Sequence, residues 1–280
     1  MEKIAILTDS ACDLTEDIIK KYNIKLAPFR IIYKDKEYED KITITSDEVY
    51  ANLVNEIPTT SLPANDRIDK ILQDLVAEVY THVIAINISS NLSGTPNSIR
   101  LLLDNYPNLT SHVFDTKTLS LAEGVIVLEA AKMLEKGASF DEIVNTLPSL
   151  RKKSHLFFTL NTLVYLKKGG RIGKVAGTVG EILKLKPIIT VTDEGVYETY
   201  SKTRGRKQSI AKLYEILDNY LEQGKCNVWI VEGDAKEDCS IMYNKLKDDP
   251  RINKLDTITL SPALGVHTGP GLIGFAIYEV

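Results

Sequence analysis

The chain has 280 residues, 44% hydrophobic and 26% charged, with a formal net charge of −4. That length suits one large domain or two modest ones, with enough core to fold without covalent staples. The charge excludes a polyanion-binding signature for the protein as a whole. Cys12, Cys226 and Cys239 form no CxxC pair, so a disulfide framework is not expected and a reducing, cytoplasmic setting is.

The first residues, "MEKIAILTDS", place a short apolar run directly before Asp9, which reads as neither a signal peptide nor a membrane span. Apolar runs then alternate with helical patterns: "KIAIL", "THVIAIN" and "SHVFDT" each end in polar residues that lead into a helix. That rhythm predicts βαβ units and a largely parallel sheet. Thr15 is positioned to cap a helix whose first turn carries Glu16 and Asp17. Thr45 with Glu48, and Ser139 with Glu142, have capping-box spacing. Phe140, Ile143, Val144 and Leu147 fall on one helical face, and residues 119–134 predict a more buried helix.

The pattern changes near residue 155. "HLFFTL" predicts a strand, and Asp193-Glu194-Gly195 sits between two β-rich runs as a hairpin turn would. A helix over 207–221, the strand "CNVWIV", another helix, and the strands "DTITL" and "LIGFAIYEV" follow. The fold class expected is α/β, with an N-terminal domain (1–157) on a largely parallel sheet flanked by helices. A C-terminal α+β domain (158–280) with a mixed sheet completes it.

Several strand ends carry small hydroxyls. "SSNLSGT" follows a buried run and precedes a helix, so Ser93 and Thr95 would sit where open α/β sheets collect ligands. Gly94 would let a ligand approach the free N–H groups of the helix start. The stretch fits either plain helix capping or an anion cradle; it is not a G-x-S-x-G nucleophile elbow. Thr59, Thr60 and Ser61 form a second cluster between Pro58 and Pro63, and Asp9 with Ser10 a third. His267 lies in "GVHTGPGLIG", between glycines and before a strand, where an imidazole could bind a carboxylate or trade protons. His82, His112 and His155 stand at strand starts and read as structural. Between residues 163 and 210, ten Lys or Arg face four Asp or Glu, so this span is +6 and the remainder −10. Such a patch is a solvated face or a surface that steers an acidic partner. It has no nucleic-acid recognition motif and no Walker loop, and no metal or cofactor motif is evident in the chain.

Taken in order, "TDSACDL", "TTSLPA", "SSNLSGT", "FDTKTLSLAEG", "LVYLKKGGRIG", "KTRGRK" and "HTGPGLIG" resemble the DegV family of bacterial fatty acid-binding proteins nearly end to end. Leu62, Ala64 and Pro96 depart from the family's usual Gln, Ser and aromatic residue. The resemblance implies one long-chain fatty acid buried between two domains. Its carboxylate would be held by Thr60, Ser61, Ser93 and the Gly94 N–H, with His267 close by. It also implies no catalysis by the chain alone, but service as the acyl-carrying subunit of a fatty acid kinase that feeds phospholipid synthesis. Arg171 and Arg204 would then dock an ATP-binding subunit, and membrane contact would be at most transient. The alternative is a stand-alone hydrolase or phosphotransferase using Ser93 and His267.

Overall fold

The computed structural model describes residues 2–178 and 185–280. The N-terminal half runs β1 (Ile4–Asp9), α1 (Glu16–Lys21), β2 (Lys25–Ala27), β3 (Arg30–Ile32), β4 (Glu37–Glu39), α2 (Ser46–Asn52), β5 (Thr59–Ser61), α3 (Asn65–Ala77), β6 (His82–Asn87), α4 (Thr95–Leu103), β7 (Thr110–Asp115), α5 (Ser120–Glu135) and α6 (Phe140–Lys152). The order β2-β1-β6-β7 makes a parallel sheet, as the βαβ rhythm predicts. All of β1 and nearly all of β6 are buried, which is why both read as unbroken apolar runs and not as alternating ones. A small antiparallel sheet, β4-β3-β5, lies beside it. The Thr59–Ser61 cluster is therefore a strand paired to β3.

The C-terminal half comprises β8 (Ser154–Thr159), α7 (Val164–Lys168), β9 (Ile188–Val191), β10 (Tyr197–Ser201), α8 (Gly205–Gln223), β11 (Cys226–Gly233), α9 (Lys236–Leu246), β12 (Ile252–Thr259), α10 (Pro262–Thr268) and β13 (Leu272–Glu279). Its mixed sheet has the order β10-β9-β8-β13-β11-β12, antiparallel except where β11 meets β12. The molecule is thus the α/β architecture expected, a parallel sheet followed by a mixed one. The β9–β10 hairpin turns at Asp193-Glu194-Gly195, where Gly195 has a φ of 83° that a side chain would resist.

Local capping signals explain two of the helix starts of the N-terminal half. Thr45 and Glu48 form a complete capping box, as do Ser139 and Glu142, where the Glu142 carboxylate accepts the Ser139 N–H at 2.8 Å. Thr15 stands at the start of α1 as expected, but its side chain makes no capping bond. Phe140, Ile143 and Leu147 of α6 are buried, each worth about 1.5–3 kcal/mol when fully removed from water.

Helix α5 joins the halves. It packs on β1 and β6 of the first sheet and on β8 and β13 of the second, so it is buried around most of its circumference. One continuous apolar core consequently runs from Ile4 through Val127 to Tyr278. A boundary at 157/158 falls inside β8, whose pairing to β13 begins at Ser154.

Candidate functional site

Where the first sheet, the small sheet and α10 meet, the described residues enclose a cavity of about 160 Å³. One end is polar, with Thr60, Ser61, Ser93, Gly94, Arg171 and His267; the other is walled by Phe29, Ile88, Leu119, Tyr197 and Leu264. The polar end meets an open surface groove of about 760 Å³, which shares Thr60, Arg171 and His267 and adds Lys34, Lys168 and Glu56.

Three elements deliver the hydroxyls. Strand β5 presents Thr60 and Ser61, the loop after β6 presents Ser93, and α10 brings His267 across from the C-terminal half. Thr60 Oγ1 lies 2.6 Å from His267 Nε2. The other ring nitrogen, Nδ1, is buried without a partner among the described residues. A buried N–H left without an acceptor is rarer than an unpaired acceptor, so the proton belongs on Nε2, donated to Thr60. Burial lowers His267 to about 4, with help from the nearby Arg171 charge, and the ring is neutral at neutral pH.

The other hydroxyls follow the same logic. Ser61 Oγ accepts from Arg30 Nη2 at 2.9 Å. Ser93 Oγ accepts from the Thr95 N–H at 3.3 Å and lies 2.8 Å from Thr95 Oγ1. Thr60 and Ser61 thus already receive a protein donor, which leaves their own O–H groups free to donate into the cavity, while Ser93 and Thr95 share a hydroxyl pair in which either can donate. Gly94 precedes α4, and its N–H has no acceptor among the described residues. Arg171 is tied to the Gly169 carbonyl at 2.7 Å and the Leu92 carbonyl at 3.3 Å. It pairs with no carboxylate among the described residues, so its charge remains available to an anion.

Buried acids behind the cavity hold these pieces in place. Asp9 accepts from the N–H groups of Ala11 and Ile88 and from Asn87, fixing the loop that leads to Ser93. Asp13 accepts the Ser261 N–H at 2.8 Å and Asp40 the Ala263 N–H at 2.9 Å, so two acids of the N-terminal half grip the start of α10. Negative charge at a helix N-terminus is favourable. Burial nevertheless pushes Asp9 up to about 7 and Asp40 up to about 6, and raises Asp13. Burial, with the neighbouring Asp9, also raises fully buried Glu123 well above the usual carboxylate range.

Of the residues singled out in the sequence, Thr60, Ser61, Ser93, Gly94, His267 and Arg171 share the cavity wall. Arg204 does not: it is exposed immediately before α8. Ser93 and His267 share no hydrogen bond, each being paired elsewhere. His267 sits in the short helix α10. His155 does have a structural partner, Glu279 at 2.6 Å. Sequence reasoning missed Arg30, Tyr197 and the Asp13–Asp40 clasp; the only signal for the last was an acid-rich "TDSACDL". Leu62, one of the departures from the family pattern, lines the cavity directly. Among the described residues no cluster of metal-ligating side chains occurs, and no helix is long and apolar enough to cross a membrane.

The cavity thus sets hydroxyls, an imidazole and a guanidinium against apolar walls, a lining suited in chemistry to an amphipathic anion. Residues 3–280 match the family described as "Uncharacterised protein, DegV family", and the chain belongs to the DegV family. A DegV domain-containing protein of Clostridium perfringens is 49% identical across 100% of this chain and 99% of its own. One from Clostridium acetobutylicum is 48% identical over the whole of both chains. Among solved structures, a fatty acid-binding DegV protein of Thermus thermophilus superposes with a TM-score of 0.92 at 28% identity, covering 99% of this chain and 100% of that one. A fatty acid-binding DegV protein of Streptococcus agalactiae reaches 0.91 at 30% identity over all of both chains. A stearic acid-binding protein of Eubacterium ventriosum reaches 0.89 at 28% identity, covering 99% and 98%.

Proposed function

We propose that the chain binds a long-chain fatty acid in the cytoplasm and presents its carboxylate to an ATP-binding kinase subunit for acyl phosphate formation. The observation that carries this reading is the convergence of Thr60, Ser61 and Ser93 on one cavity, each with its oxygen within reach of a protein donor. Relatives that bind fatty acids support the choice of ligand. Each methylene buried contributes about 0.8 kcal/mol, so a long acyl chain supplies on the order of 10 kcal/mol gross. A carboxylate withdrawn from water needs compensating hydrogen bonds, and neutral donors provide them without an ion pair. That leaves electron density on the oxygen that must attack. In the partner's presence a carboxylate oxygen attacks the γ-phosphorus of ATP. The bond to the β,γ-bridging oxygen breaks, ADP leaves, and the acyl phosphate stays in this chain.

The groove beside the carboxylate end is the route for that approach, and Arg171 with the exposed Arg204 would dock the partner. The stand-alone hydrolase reading lacks a paired nucleophile and base, since Ser93 and His267 each bond elsewhere. Replacing Ser93 by Ala tests the proposal. Palmitate affinity is expected to fall about tenfold, the cost of one hydrogen bond to a charged group. Acyl phosphate formation with the kinase subunit and ATP should fall with it. Unchanged values for both would remove the hydroxyl cradle from the account.

A further inference from the structure

The cavity does not end at its apolar wall. Behind it lies a second space lined by Leu156, Phe158, Val231, Leu260 and Leu272. The two share Leu119, Tyr197 and Leu264, which form a neck between them. The front compartment, about 160 Å³, is smaller than the roughly 300–1,000 Å³ of sites that hold a drug-sized ligand. The rear space is about 10 Å³, at the limit for a single water of about 10–15 Å³. A short acid fits in front of the neck. A long one must pass it and spread the rear wall.

Of the three neck residues, Tyr197 carries the largest side chain. Leu119 stands at the start of α5, and Leu264 lies in the first turn of α10, whose N–H is held by Ser261 Oγ. Tyr197 Oη makes no hydrogen bond among the described residues. Its ring meets Phe158 edge-on at 5.6 Å between centroids, a contact that a rotamer change exchanges for contact with an acyl chain. Its backbone is held in β10, paired with Val191 of β9, so the freedom lies in the side chain.

We infer that Tyr197 is the length selector of this site, a swinging ring between a front compartment for the first carbons and a rear one opened only by long acyl chains. The inference rests on the fatty acid reading and adds which residue sets its preference. Removing the ring should favour long acids specifically. The test compares palmitate with octanoate, by calorimetry, on the full chain and on Tyr197→Ala. The ratio of palmitate to octanoate affinity is expected to rise at least tenfold in the variant, while Tyr197→Phe, which keeps the ring, leaves it within twofold of the parent. Leu119→Ala opens the same neck from the other side and should shift the ratio in the same direction, so the test survives if Tyr197→Ala does not fold. Binding of both acids with an unchanged ratio in the folded neck variants would overturn the selector alone. Failure of the parent chain to bind either acid would overturn the lipid reading and the selector with it.

Discussion

Gly169 has no room for a side chain. A Cβ there would stand 2.1 Å from His267 Nδ1, although the backbone at φ −75° would accept alanine without strain. Gly169→Ala should therefore fold normally yet push the imidazole away from Thr60. Loss of that 2.6 Å bond frees Thr60 to turn its proton elsewhere. We expect fatty acid affinity to fall about tenfold, measured by calorimetry; unchanged affinity would show that the His267–Thr60 pair does not orient the cradle. At this scale the hydroxyls were legible, because small alcohols clustered after apolar runs are visible in the sequence. Their donors were not. Arg30 reaches Ser61 across 31 positions and His267 reaches Thr60 across 207, pairings that only the folded chain creates.

Helix α10 shows why an element can be invisible in its own sequence. It has seven residues and includes Gly265, far below the roughly 12–15 residues at which a helix becomes marginally stable alone. "GVHTGPGLIG" accordingly carries no helix signal of its own. The missing stability comes from Asp13, 248 positions from Ser261, and from Asp40, 223 positions from Ala263. By contrast, the boxes at Thr45 and Ser139 were readable because both partners lie within four residues. Asp40→Ala leaves the Ala263 N–H buried and unpaired, a loss of about 1–3 kcal/mol. We expect that loss in denaturant unfolding, together with weaker acid binding as His267 moves with its helix. A variant of parental stability would remove the clasp from the account.

At the scale of the whole molecule, the buried acids set an unusual pH response. Asp40 holds its proton up to about 6 in the fold, whereas an unfolded aspartate releases it near 3.9. Between those values the native state binds more protons than the unfolded one. This group's contribution to stability therefore falls as pH rises from about 4 to about 6, then levels off. Asp40→Asn can still accept from Ala263 and donate to Ser10, without ionising. It should flatten the pH dependence of unfolding over that window and be more stable than the parent at pH 7. A variant with a steeper dependence would overturn the assignment. The two sheets were legible as a change of rhythm near residue 155, but the join was not, because α5 buries itself against both and no linker composition marks it. One consequence concerns synthesis. Strand β13 lies in the middle of the second sheet, between β8 and β11. The parallel sheet can assemble while translation continues, but its neighbour must wait until Glu279 has cleared the ribosome. Until then β8 and β11 present raw strand edges, and a nascent chain stalled before Leu272 would be an aggregation hazard and a natural client for chaperones.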